Sequence, residues 1–461
     1  MKNIVWSTSH EMILDDIVKA RNCEVSDSGG RKYIDMESGV WCTNLGHCNP
    51  RINSVMTSQL RKVMHTGFNY CNPILETAAC KVLEITDFPG GKCEFLCSGS
   101  EAVEYCIRAA KTIKPDAMVL VFSDSYFGAY GEAARQDSKE WYRYNRYGCN
   151  CDTGGEDSRR KKSGGEGGRG QEPDGDGYCG AETRGEGCRR EETRSEGCRG
   201  EGPLSEGCRR EEPLSEGCRR EEPLSEGCRG ECREFSDIPF DKIGIFLFEP
   251  GSSSGLVNFP SAELIGKISE RIRENNGFII INEVTTGAGR TGKWFGFQHY
   301  DLKPDMIAIG KGIGNGYPVS VAAFSARAAG LLEKHSFHFS QSHQNDPMGA
   351  SIVNEVISTI NDENLVERSR KLGEKLMAGL EKIKKPGSVL KAVRGRGLMI
   401  AIEFTRDAGH VQKELVRRGF IVAKRSGHEV LRIDPALTIK EKDINGFLFS
   451  FNDVIKDLDA Q

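Results

Sequence analysis

Six short apolar runs set the plan of this chain: Cys93–Cys97, Met118–Phe122, Ile243–Phe248, Phe278–Ile281, Met306–Ile309 and Ser320–Phe324. Each is bounded by Gly, Pro, Asp or Ser and is too short for a helix, which reads as a strand buried on both faces. Segments of helical period lie between them, at Glu101–Lys111 and Ser261–Asn275. Strands separated by helices pair in parallel through right-handed crossovers. The expected fold is therefore α/β, a mostly parallel central sheet between helix layers, with ligand sites at the carboxyl ends of its strands.

One stretch breaks the pattern. Residues 148–232 hold 20 of the 54 glycines and 9 of the 17 cysteines, and hardly any aliphatic side chain besides Leu204, Leu214 and Leu224. A ten-residue unit recurs there, marked by Cys188, Cys198, Cys208, Cys218 and Cys228. One Leu and one Cys per unit cannot offset an ordering cost of roughly 1–2 kcal/mol per residue, so the segment reads as a disordered surface insertion. It carries 15 basic and 21 acidic residues, so the rest of the chain is +2 where the whole is −4. That remainder has the composition of an ordinary soluble domain pair. At the neck of the insertion, Cys149, Cys151, Cys228 and Cys232 could gather as a tetrahedral zinc knot; the alternative is a tolerated loop that binds nothing.

Met1-Lys2-Asn3-Ile4-Val5-Trp6 runs at once into Ser7, Thr8 and Ser9, unlike a secretory signal, and no apolar run reaches membrane-spanning length. A cytoplasmic protein with no membrane partner is expected, with Cys42, Cys93, Cys97 and Cys106 reduced and mostly buried. Arg159-Arg160-Lys161-Lys162 sits among acids and glycines without aromatic residues, so nucleic-acid binding is not expected.

Several motifs fall at strand ends. Ser98-Gly99-Ser100-Glu101 could present helix N–H groups to a phosphate, or be a plain serine cap. Tyr126, in Ser125-Tyr126-Phe127-Gly128, could stack on a ligand ring or simply pack. Gly287 to Lys293 matches the spacing of a nucleotide P-loop, but Trp294 follows where Ser or Thr must hold the metal, which excludes it. Lys311, between Gly310 and Gly312 at the end of an apolar strand, is either a solvent-facing turn residue or an amine tuned by burial for nucleophilic use.

The order SGSEA, YFG, FEP-x₄-G, NEVTTGAGRTG, PDMIAIGKGIGNGYPVS, SHQNDP, RGRGL and LRIDPALTI resembles the class III pyridoxal-phosphate-dependent aminotransferases, the acetylornithine, ornithine and ω-amino-acid group. The likeness runs from about Asp27 to the C-terminal helix, leaving out the insertion. It implies the fold type I architecture of those enzymes. Residues 1–47 would form the N-terminal part of a small domain, 48–327 a large cofactor domain interrupted by 148–232, and 328–461 the C-terminal small domain. It implies pyridoxal 5'-phosphate bound as a Schiff base to Lys311, which then serves as general base. Gly99 and Ser100 would hold the phosphate, and Ser342 would reach it from the neighbouring subunit of a homodimer. Tyr126 would stack on one ring face and Val284 press on the other, and Arg432 would clamp a substrate carboxylate. The partners would be an amino donor and a 2-oxo acid acceptor.

The chain departs from that family at informative places. Asn282 stands where Asp usually keeps the pyridine nitrogen protonated, and each pKa unit lost there is worth about 1.4 kcal/mol. Thr285 replaces a Gln at the phenolic oxygen, Ser254 a Glu that restrains the carboxylate-binding arginine, and Phe127 a common His. Asn282 keeps a second reading open, a lyase acting on an amino substrate within the same fold.

Overall fold

The computed structural model describes residues 3–6, 11–67, 69–135, 137–145, 235–252 and 255–460. They belong to one compact unit, 1–148 with 231–461. The decapeptide stretch, its neck cysteines Cys149, Cys151, Cys228 and Cys232, and Ser254 lie outside the described residues.

In chain order the described strands are β1 (Ile17–Arg21), β2 (Glu24–Asp27), β3 (Lys32–Asp35), β4 (Lys92–Leu96), β5 (Met118–Phe122), β6 (Trp141–Tyr144), β7 (Ile243–Phe248), β8 (Phe278–Asn282), β9 (Met306–Ile309), β10 (Ser320–Phe324), β11 (Leu390–Arg396), β12 (Met399–Phe404), β13 (Phe420–Ile421), β14 (Ala423–Lys424) and β15 (Val430–Ile433). Seven form the central sheet, ordered β4-β10-β9-β8-β7-β5-β6. All six expected strands are present within a residue at either end, and β6 is added at the edge.

Successive side chains of these strands feed two separate cores, as a period of two requires. Phe246, Phe248, Ile279, Ile281 and Ile307 pack on one face, and Ile245, Leu247, Ile280, Ala308 and Ala322 on the other. Each large side chain so buried contributes about 1.5–3 kcal/mol.

Pairing is parallel from β6 through β5, β7 and β8 to β9, whereas β10 runs antiparallel to both its neighbours. Residues 310–319 are too few for the crossover that a parallel partner of β9 would need. The chain therefore doubles back after β9, and Lys311 lies in that turn.

Two four-stranded sheets complete the unit, β1-β2-β3-β13 and β11-β12-β15-β14. The first joins the two ends of the chain, since β13 pairs in parallel with β3. Arg290, fully buried, stitches distant segments together: it donates to the carbonyls of Leu398 and Pro435, to Ser38 Oγ at 3.0 Å and to Asn44 Oδ1 at 2.6 Å. Gly292, Gly289 and Gly397 let this loop approach its neighbours; a Cβ on Gly397 would lie 2.5 Å from Gly292 N. The P-loop-like stretch is thus a packing seam.

Candidate active site

Lys311 follows β9 in a single 3-10 turn, with φ at +47°. A non-glycine residue in the left-handed region costs on the order of 1–3 kcal/mol, and such strain concentrates at functional sites. The surroundings fix the conformation tightly, since a Cβ on the next residue, Gly312, would collide with Asn44 Nδ2 at 2.2 Å. The amine ends 4.7 Å from the ring centroid of Trp41. Burial pushes its pKa down to about 8; Cys42 and Glu249 oppose the shift, and Arg432 and Arg425 add to it. The solvent-facing turn is thereby excluded.

Arg432 comes from β15 and is 1% exposed. Its Nη2 donates to Asp434 Oδ1 at 2.9 Å, and its guanidinium carbon lies 4.8 Å from the same Trp41 ring. Nε and Nη1 are buried with no hydrogen-bond partner among the described residues. Leaving such donors unpaired costs about 1–3 kcal/mol or more, so the guanidinium has spare N–H groups that suit a carboxylate ligand. Glu37 lies in the same electrostatic neighbourhood: burial, with Asp35 and Asp434 nearby, raises its carboxyl to about 7, while Arg432 and Arg425 pull it down. Trp41 is the residue common to both cations. It sits on the segment Ser38–Trp41, where Gly39, Val40 and Trp41 all take positive φ.

The other wall is built from glycines and strand ends. A Cβ on Gly99 would lie 2.6 Å from Val284 Cγ1, and one on Gly310 would lie 3.2 Å from Gly99 Cα, so the first helical turn, Val284 and the lysine loop close on one another. The helix Gly99–Ile113 starts with Ser98 as its cap: Ser98 Oγ accepts from Glu101 N at 3.3 Å, and Glu101 Oε2 accepts from Cys97 N at 2.7 Å. The serine-cap alternative is therefore realised and uses the Glu101 N–H, leaving Gly99 and Ser100 ahead of the helical ladder. Ser100 Oγ accepts from Ala129 N at 3.2 Å, and Gly128 lies against the same side chain.

Asn282, at the end of β8, is 3% exposed. Its Nδ2 donates to the carbonyl of Tyr126 at 3.0 Å, and its Oδ1 accepts from Val284 N at 3.2 Å. The Tyr126 ring is half exposed at the rim. Buried Glu249, from the FEP motif, accepts from Tyr126 N at 3.2 Å and from Thr285 Oγ1 at 3.4 Å. Lys311, Gly99, Ser100, Tyr126, Asn282, Val284, Thr285 and Arg432 are thus linked through neighbouring contacts into one locality. Ser342 is not: it is exposed on the turn before the helix Pro347–Asp362, and among the described residues no hydrogen bond ties it to the others. Phe127 is a core side chain. Of the cysteines expected to be mostly buried, Cys106 is buried and Cys42, Cys93 and Cys97 are partly so; all are free thiols.

A family model described as "Aminotransferase class-III" matches residues 5–142 and 216–455. The chain belongs to the class III aminotransferases. The match breaks across most of the decapeptide segment. Ornithine aminotransferase 1 of Staphylococcus aureus is 31% identical over 230 residues, 49% of this chain and 57% of the relative, so the matched part spans little more than half of that protein. The leucine/methionine racemase of Thermococcus litoralis is 26% identical over an alignment of 461 residues, covering 96% of this chain and 90% of the relative. The crystal structure of an acetylornithine aminotransferase from Elizabethkingia anophelis superposes with a TM-score of 0.71 at 20% identity, over 98% of this chain and 96% of that one.

The cofactor of class III aminotransferases is pyridoxal phosphate, and the residues here fit it. Lys311 supplies an amine of lowered pKa, Gly99 and Gly310 leave no side chain in the approach, and the first turn of the helix Gly99–Ile113 offers N–H donors to a phosphate.

Proposed function

We propose that the protein moves an amino group from an amino-acid or ω-amine donor to a 2-oxo acid, with pyridoxal phosphate held by Lys311, as a cytoplasmic homodimer. The observation that carries this is the pairing of two cations on one aromatic ring: the Lys311 amine and the Arg432 guanidinium both lie within 5 Å of Trp41. A substrate carboxylate on Arg432 would therefore bring its amino end towards Lys311. In this reading 1–47 with 328–461 form the smaller domain and 48–327 the larger, and Ser342 serves the neighbouring subunit's phosphate.

When bound, pyridoxal phosphate supplies the carbonyl to which amines add and the ring that acidifies the adjacent C–H. With a pKa near 8, Lys311 Nζ is neutral in roughly a tenth of molecules at pH 7; it would hold the cofactor through this amine and would carry the substrate proton. Glu249 orients the rim through Tyr126 N and Thr285 Oγ1. Arg432 fixes the substrate's carboxylate through a donor it leaves unpaired.

Asn282 supports a second reading. An amide cannot hold a pyridine nitrogen protonated, and a weaker electron sink favours steps that stop short of transfer, such as elimination or racemisation. A panel of amino donors with one fixed keto acceptor tests the first reading: accumulation of a new amino acid that disappears in Lys311→Ala supports it, and the absence of any new amino acid with every donor refutes it.

A further inference from the structure

Away from the lysine pocket, two distant stretches of the chain bring three ligating side chains to one spot. His65, His343 and Asp346 each offer one donor atom, and the three atoms lie within 4.8 Å of one another. His65 Nδ1 is 3.7 Å from Asp346 Oδ1, His343 Nδ1 is 3.3 Å from Asp346 Oδ2, and the two imidazole centroids are 5.0 Å apart.

Asp346 shows that this is more than a chance meeting. It is the cap residue of the helix Pro347–Asp362, the position where an aspartate normally accepts a backbone N–H for about 1 kcal/mol, yet its side chain caps nothing. Among the described residues its Oδ1 is buried without a hydrogen-bond partner, since His65 is too far to donate. The carboxylate gives up the capping bond, engages His343 Nδ1 through Oδ2 at hydrogen-bond distance, and faces both imidazoles.

The two separations run to different oxygens of Asp346, 3.3 Å to Oδ2 and 3.7 Å to Oδ1, so a single ion at the bond length of about 2.0–2.1 Å for imidazole and carboxylate on zinc is reached by a turn of the carboxylate and a small approach of the rings. Both imidazoles are exposed and can close the remaining distance. A cavity of about 140 Å³ lined by His343, Asp346, Cys97 and Tyr317 adjoins the trio and has room for a water as fourth ligand.

We propose that His65, His343 and Asp346 form a binding site for a divalent transition-metal ion of the zinc type, with the fourth position open to water. Two imidazoles with a single carboxylate select such an ion over magnesium or calcium, which take oxygen ligands. The ion ties the segment after the helix Pro50–Leu60 to the start of the helix Pro347–Asp362 and fixes the turn that carries Ser342. This site does not depend on the aminotransferase reading.

The test uses the full chain with the nine cysteines of 148–232 replaced by serine, so that this segment cannot contribute, and stripped of metal with EDTA. Titration with Co²⁺, and with Zn²⁺ against a chromophoric chelator, should show one saturable site per chain. The cobalt form should have visible ligand-field bands and no thiolate charge-transfer band. His343→Asn and Asp346→Asn, the second of which keeps the size of the side chain, should each weaken binding at least about 100-fold, more than the loss of an outer-shell partner does. Their thermal unfolding without metal should match that of the parent chain. No saturable binding in this chain would overturn the proposal, as would binding that survives both substitutions or a cobalt spectrum dominated by thiolate.

Discussion

Asn282 donates its amide to the carbonyl oxygen of Tyr126 at 3.0 Å, and so uses for structure the side chain that would otherwise face the ring nitrogen of a cofactor. In Asn282→Asp the new oxygen meets that carbonyl with no proton between them, while Oδ1 still accepts from Val284 N. The apo protein should lose about 1–3 kcal/mol in urea unfolding, the cost of an unsatisfied buried pair. Loading with pyridoxal phosphate should restore most of the loss, because the ring nitrogen can then protonate and pair with the carboxylate. An equal loss with and without the cofactor would show that Asn282 does not face the ring.

Gly99→Ala tests the closeness of the two walls. The added methyl would sit 2.6 Å from Val284 Cγ1, and Val284 hangs from the end of β8 that Asn282 also braces. Overpacking of this kind costs about 1–3 kcal/mol. Cofactor affinity, measured by equilibrium dialysis, should fall roughly 5- to 150-fold by the same energies. An unchanged affinity would place the cofactor elsewhere.

The seven strands show which parts of this fold are legible in sequence. Ile243–Phe248 and Phe278–Asn282 are buried on both faces, so every residue is apolar up to the functional end, and their bounds are readable to within a residue. Trp141–Tyr144 escapes notice because, at the sheet edge, only Trp141 is buried and the strand includes exposed Arg143. The reversal of β10 is written only in the length of the link 310–319, which the alternation of strands and helices obscures. At the site, Lys311 announces itself as a lysine between glycines after an apolar run. Trp41 does not: its role comes from four successive positive φ values, Ser38 to Trp41, and from two cations brought to it by segments far along the chain. No periodicity or motif carries that information.

Trp41→Leu removes the shared aromatic surface while keeping an apolar side chain. A cation–π contact is worth about 0.5–2 kcal/mol, so KM for a carboxylate-bearing donor should rise roughly 2- to 30-fold. A donor without a carboxylate should lose much less, since it does not use Arg432. Steady-state kinetics with both donors decides, and an equal loss for the two would separate Trp41 from carboxylate binding.

Lys311 also makes stability depend on pH. In the folded apo protein burial lowers its amine from 10.5 to about 8, so between those values the unfolded chain holds a proton that the folded chain has released. Stability contributed by this group therefore rises as pH goes from 8 to 10.5, and its cost is largest below 8. Urea unfolding of apo protein should show the gap between the unsubstituted chain and Lys311→Met narrowing over that window. A gap independent of pH would mean that the amine titrates normally.

The central claim is that Lys311 and Arg432 hold an amino acid for transfer of its nitrogen, and a half-reaction tests it most directly. Protein loaded with pyridoxal phosphate is mixed with amino donor and no keto acceptor, and the cofactor's absorbance is followed together with the products. Aminotransfer predicts that the band of lysine-bound pyridoxal phosphate is replaced by that of pyridoxamine phosphate, with one keto acid formed per site and no ammonia. Ammonia or keto product released over many turnovers while the lysine-bound band persists, or inversion of the donor's α-carbon without loss of nitrogen, would contradict it.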